Sequence, residues 1–199
     1  MSGAQVGDNG LVRVALLGPF EVQDDAGDFL PVAGSRLRDL IARLALAGGR
    51  PVSTAALADA VWGDDPPADL ANALQTLVSR ARRALGGPAA VEQSAAGYRL
   101  AVTPDDVDAV RFERLVAAGD IEEALGLWRG AALDDVGAFA APYALRLADL
   151  RLDTTTGWLA RELESGRASP RRLASPGEPP RCSGRAPSCA AVRTLPIWR

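Results

Sequence analysis

Between Ala71 and Leu85 the sequence sets three arginines and no acid on a run whose apolar residues recur at helical spacing. At 100° per residue, Leu74, Leu77, Val78, Ala81 and Leu85 share one stripe about 100° wide, the width a helix buries against a core. Asn72, Thr76, Ser79 and Arg83 line the opposite side at i, i+4, i+7 and i+11. Gln75 and Arg82 flank them on one edge and Arg80 on the other. Asp69 or the loop before it supplies the cap, and Gly86-Gly87-Pro88 supplies the stop, so a helix is expected over 70–85. Such a helix needs a core on one side and leaves the other side open. The open side combines arginine forks with amides and hydroxyls, groups that fit phosphate oxygens and base edges in a major groove. Taken alone, the helix is equally well described as a solvated face with an arginine-rich end favoured by the helix dipole.

Its neighbours in the chain narrow the choice. Leu11, Val12, Val14, Leu16 and Leu17 run into Gly18-Pro19, and Phe20 and Val22 resume. After the turn residues 24–28 come Phe29, Leu30 and Val32, so two or three short antiparallel strands are expected. Ser35 is the expected cap of a first helix carrying Leu37, Leu40, Ile41, Leu44 and Ala45, stopped at Gly48-Gly49. Ser53 or Thr54 caps a second, with Leu57, Ala58 and Val61 inward and its end at Trp62-Gly63. The loop 64–67 then redirects the chain into the basic helix. Val91-Glu92-Gln93 and Tyr98-Arg99-Leu100 read as a hairpin around 94–97, with Arg99 placed to touch backbone phosphate. Helix, helix, turn, basic helix and closing hairpin form a winged helix-turn-helix, and DNA binding becomes the favoured reading.

At these residues the chain resembles the DNA-binding domain of Streptomyces antibiotic regulatory proteins, OmpR-like winged-helix transcription activators. The resemblance rests on Ala60-Val61-Trp62-Gly63, Pro66-Pro67, Asn72-Ala73-Leu74-Gln75, Val78-Ser79-Arg80 and Gly97-Tyr98-Arg99-Leu100, in the family's order and at similar spacing. It covers roughly 11–102. Ala81 departs from the usual leucine, and Ala95-Ala96 from the usual wing glycine, which leaves the wing tip less free to approach a backbone. The resemblance places Asn72, Gln75, Thr76, Ser79, Arg80 and Arg83 on the recognition helix, and Tyr98 and Arg99 on the wing. Tyr98 has a second reading as an aromatic that packs the wing onto the basic helix. Implied partners are double-stranded DNA with promoter repeats, RNA polymerase holoenzyme near the acidic loop 64–69, and a second copy of the chain; each aspartate of that loop also reads as part of a capped, solvated turn.

Composition limits the alternatives. All 22 Lys+Arg residues are arginine and there is no histidine. That removes the lysine of a phosphate loop, Schiff-base lysines, Ser-His-Asp and Cys-His arrangements and the common zinc sites. An enzyme is disfavoured, and no cofactor or metal is expected. Cys182 and Cys189 are the only cysteines, so no disulfide framework holds residues 1–181. The start lacks a secretory pattern and no apolar run is long enough for a membrane helix, so a cytoplasmic protein without a membrane partner is expected.

Charge divides the chain further. Residues 1–100 carry nine Arg against eleven acids, 101–165 six against thirteen, and 166–199 seven against one. The expected organisation is a flexible 1–10, a winged-helix domain over 11–103, an acidic helical segment over 107–165 and a basic tail over 166–199. In the third part, Val110, Phe112, Leu115 and Val116 suggest a helix from Asp108 to Gly119. Ile121, Ala124, Leu125 and Trp128 suggest a second, and a third is expected over 142–164, with Leu145, Ala148, Leu152, Trp158 and Leu159 inward. These read as tetratricopeptide-type pairs, and VDAVRFERLVAAG with ALGLWRGAAL is similar to the start of the bacterial transcriptional activator domain. The fold class is thus an α+β winged helix-turn-helix followed by a mostly α, tetratricopeptide-like segment and a disordered tail. With six Pro, seven Arg and both Cys, 166–199 reads either as a frameshifted or truncated end or as a basic disordered tail. Two further readings stay open: a protein-interaction module without DNA binding, and a regulator that binds DNA but cannot activate.

Overall fold

The computed structural model describes residues 12–164. Expectations for 1–11 and for the tail beyond 164 lie outside the described residues. Strands β1 (Arg13–Ala15) and β2 (Glu21–Gln23) pair antiparallel, with Val14 opposite Val22 and both buried. The expected third strand shrinks to a bridge between Phe29 and Gln23. Phe29 stays exposed there, so no second face is buried to hold a longer ladder.

Three helices follow. Helix α1 (Ser35–Ala45) starts from Gly34, whose φ of 99° suits glycine, while Ser35 is the first helical residue and caps nothing. Leu37, Leu40, Ile41 and Leu44 bury its inner side. Helix α2 (Thr54–Trp62) has Ser53 as its cap, accepting from the Ala56 N–H at 3.2 Å. Helix α3 (Leu70–Ala84) has Asp69, accepting from the Asn72 N–H at 3.0 Å. Strands β3 (Val91–Ser94) and β4 (Gly97–Leu100) then form the hairpin, in the register Glu92 to Arg99 and Gln93 to Tyr98.

The acidic segment adds α4 (Asp108–Ala118), ended by Gly119 in the left-handed conformation, α5 (Ile121–Gly126) and α6 (Ala141–Glu164). Helix α5 stops before Trp128, whose ring leaves the helical repeat to meet Phe112 edge-on at 5.3 Å. Of the residues expected inward on α6, Leu145 and Leu152 are each 65% exposed, Ala148 is exposed too, and Trp158 and Leu159 are half-buried; the residue that is fully buried is Leu147, which was not among them. Beside its exposed charged residues, α6 therefore also shows an apolar stripe to solvent. With Trp128, Ala132 and Ala144 it lines an open groove of about 650 Å³.

One core runs through both segments: Leu16, Leu17, Leu40, Leu44, Leu100, Phe112 and Leu147 belong to the same buried cluster. Polar links stitch the halves as well. The Asp108 carboxylate accepts from the backbone N–H of Leu16 at 2.6 Å and of Leu17 at 3.0 Å. In return the Asp39 carboxylate on α1 accepts from the Gly137 N–H at 2.7 Å. Burial raises the pKa of both aspartates above the ordinary carboxylate value, against the opposing pull of those N–H donors, of Arg38 on Asp39 and of Arg129 on Asp108. The core is continuous across 103–107, where charge alone suggested a boundary. Among the described residues, no helix is long and apolar enough to cross a membrane.

Candidate nucleic-acid interface

Burial sorts the faces of α3 as its periodicity predicts. Leu74, Leu77, Val78 and Ala81 are buried against the core. Asn72, Gln75, Thr76, Ser79, Arg80 and Arg83 are all exposed. An alanine at 81 is fully enclosed, so the departure from leucine leaves the outer face untouched. The six polar side chains thus share one open surface along a helix of four turns. No acid interrupts it.

The arginines divide by their partners. Arg83 Nε lies 3.4 Å from the Ser79 carbonyl on its own helix, and Arg80 Nη2 lies 3.5 Å from the Ala33 carbonyl. Both contacts are long and exposed, so both guanidinium groups keep donors for another acceptor. Arg82 differs. It is half-buried, and its Nε donates to the Val91 carbonyl at 2.9 Å, which fastens the hairpin to α3. Periodicity put Arg82 at the edge of the open face but could not reveal a partner nine residues away.

The hairpin is held from its other side by Val52. Its N–H donates to the Tyr98 carbonyl at 2.7 Å, and the Tyr98 N–H donates back at 3.0 Å. This close approach makes Gly97 indispensable. Its φ is +124°, and a Cβ there would stand 2.0 Å from the Val52 carbonyl oxygen. The tip residues Ala95 and Ala96 are exposed and lack the positive φ that a glycine would provide.

The two predicted wing residues separate. Tyr98 is only 5% exposed and packs in the core, so its ring supports the wing from beneath and is not part of the open surface. Arg99 points outward and meets Glu92 directly across the ladder. Its Nη2 and Nε donate to Glu92 Oε2 at 2.7 Å and 3.0 Å. The periodicity of 98–100 already carries that inward–outward alternation, although the residue type alone suggested a contact for Tyr98.

An open basic helix with no acid, buttressed by a hairpin on its C-terminal side, is the geometry of a winged-helix reader. Residues 33–100 match the family described as "Transcriptional regulatory protein, C terminal". The chain is 36% identical to the transcriptional regulator RedD of Streptomyces coelicolor, over 64% of this chain and 42% of that protein. It is 32% identical to the regulatory protein DnrI of Streptomyces peucetius, over 78% of this chain and 66% of that one. The chain belongs to the Streptomyces antibiotic regulatory protein family.

Within that family the fold extends past the matched domain. A solved structure of Mycobacterium tuberculosis EmbR, determined with a low-affinity phosphopeptide, superposes with a TM-score of 0.67 at 29% identity. It covers 80% of this chain and 47% of the EmbR chain, so the likeness includes helices beyond residue 100. The chain spans from under half to about two thirds of the length of RedD and DnrI. The family is one of transcriptional regulators, and this member carries its DNA-binding regulator domain.

Proposed function

We propose that the chain is a sequence-specific activator of a biosynthetic gene cluster, with α3 in the major groove and the wing on the backbone. The observation that carries this reading is the uninterrupted polar face of α3, six exposed side chains with no acid among them. Asn72, Gln75, Thr76 and Ser79 are short amide and hydroxyl groups near the helix axis, suited to base edges. Arg80 and Arg83 reach further and serve guanine edges or phosphates, and Arg99 serves phosphate beside the groove. Tyr98 acts through the wing it supports.

The promoter repeats expected for such a regulator call for two copies on adjacent half-sites. The loop 64–69, in which Asp64 and Asp65 are exposed and Asp69 caps α3, is the surface we assign to RNA polymerase holoenzyme. A protein acting on promoter DNA works in the cytoplasm. The test is binding to promoter fragments from the gene's own surroundings across a salt series. The affinity is expected to fall linearly on log–log axes with a slope of about −0.9 per neutralised phosphate. Affinity independent of salt, or equal for every sequence, would overturn the reading.

A further inference from the structure

Across residues 71–100 the chain holds four arginines and one acid, Glu92. That acid sits on the one arginine of the wing. Glu92 and Arg99 are opposite each other in the β3–β4 ladder, and two guanidinium nitrogens of Arg99 are committed to a single Glu92 oxygen. Both side chains remain nearly half exposed, 45% for Arg99 and 44% for Glu92. No other charged residue lies between 91 and 100, so the wing as a whole is neutral.

We infer that Glu92 is a built-in brake on backbone affinity, holding Arg99 in an ion pair that phosphate must displace. This rests on the DNA-binding reading above. A carboxylate and a phosphate oxygen compete for the same donors of the guanidinium fork. When Arg99 turns to a phosphate, Glu92 is left as an unpaired anion beside an anionic backbone, and like charges at that separation repel. The penalty falls on every duplex alike, because the backbone carries no sequence information. Glu92 therefore lowers non-specific binding and leaves discrimination to the face of α3. The pair is exposed and contributes little to folding, so its effect is read on DNA.

The experiment compares the full chain with Glu92→Gln, Arg99→Gln and the double variant on a short duplex of arbitrary sequence, each titrated across salt. Glu92→Gln keeps the shape and the hydrogen-bonding oxygen while removing the charge. It is expected to tighten binding about two- to fivefold, the range an exposed charge pair spans, and to steepen the salt slope by up to about 0.9. The gain is expected to vanish in the Arg99→Gln background. Unchanged or weaker binding by Glu92→Gln would overturn the proposal and make Glu92 a residue that orients Arg99 for phosphate. A gain that persists without Arg99 would also overturn it, leaving only a general repulsive field. Failure of the unmodified chain to bind any duplex would instead sink the DNA-binding reading, and the brake with it.

Discussion

Three arginines within four positions of α3 do two different jobs. Arg80 and Arg83 are exposed with long, weak contacts, whereas Arg82 donates a well-formed bond to the Val91 carbonyl. Arg80→Ala and Arg83→Ala should each cost about 1–3 kcal/mol of specific DNA affinity while leaving the unfolding midpoint unchanged. Arg82→Ala should do the reverse at first order. It leaves the carbonyl of the buried Val91 without that donor and should lower stability by about 1–2 kcal/mol, measurable by denaturant titration, with affinity falling only as the wing loosens. Gly97 is the sharper case. Gly97→Ala combines a positive φ with a Cβ driven into the Val52 carbonyl and should cost roughly 3 kcal/mol or more. The six outward residues of α3 were legible because a helix repeats every 3.6 residues and its stripe was clean. The Arg82 bond and the seating of the hairpin on Val52 depend on how separate elements meet, which no local pattern encodes, whereas the inward turn of Tyr98 and the outward turn of Arg99 follow the strand alternation of 98–100.

Among the elements, the helix starts were read best, because caps are local. Ser53 and Asp69 accept from the third residue onward, as their types foretold. Asp69→Ala should therefore cost about 1 kcal/mol of stability, seen as a lowered thermal midpoint. The start of α1 escaped because Gly34 does by conformation what Ser35 promised by hydrogen bonding. From the sequence, Asp108 marks only the start of α4. Its carboxylate instead gathers the Leu16 and Leu17 N–H groups across 92 and 91 residues of sequence. Asp108→Ala would leave those N–H groups without an acceptor and should destabilise the chain by about 2–4 kcal/mol. Burial raises the folded pKa of Asp39 and Asp108 above the unfolded value, so the native state holds these protons more tightly. Their contribution is greatest below the ordinary aspartate value and is lost as pH rises through the raised folded one. Thermal midpoints across mildly acidic pH should show a downward component with rising pH that Asp39→Asn reduces. An opposite slope for that component would contradict the assignment. Helix α6 shows the limit of periodicity from the other direction. Its apolar stripe was expected to face inward, but the nearest elements pack on the side of Leu147 and leave Leu145 and Leu152 outside.

Over the whole molecule, charge suggested a border where packing has none. The acidic segment returns to the first hairpin: Arg129 and Gly130 donate to the Leu17 carbonyl, Leu133 donates to that of Leu16, and Val107 bridges Val14. Net charge reports on surfaces, and these contacts are made by backbone and apolar groups that carry none. Ending the chain at residue 103 should therefore strip Phe112, Val107 and Leu147 from the core that also holds Leu16 and Leu17. Such a protein should unfold at lower denaturant than one ending at 164, and equal midpoints would show the two segments to be energetically separate. The shared core joins the acidic helices to the half that carries α3. In the proposed role, the outer face of α3 reads sequence. The most direct measurement is the ratio of affinities for the gene's own promoter fragment and an arbitrary duplex of equal length, for the unmodified chain and for Gln75→Ala, Ser79→Ala and Arg83→Ala. A large ratio is expected for the unmodified chain, and these variants should collapse it toward unity while thermal midpoints stay constant. A ratio that survives all three substitutions would contradict that role.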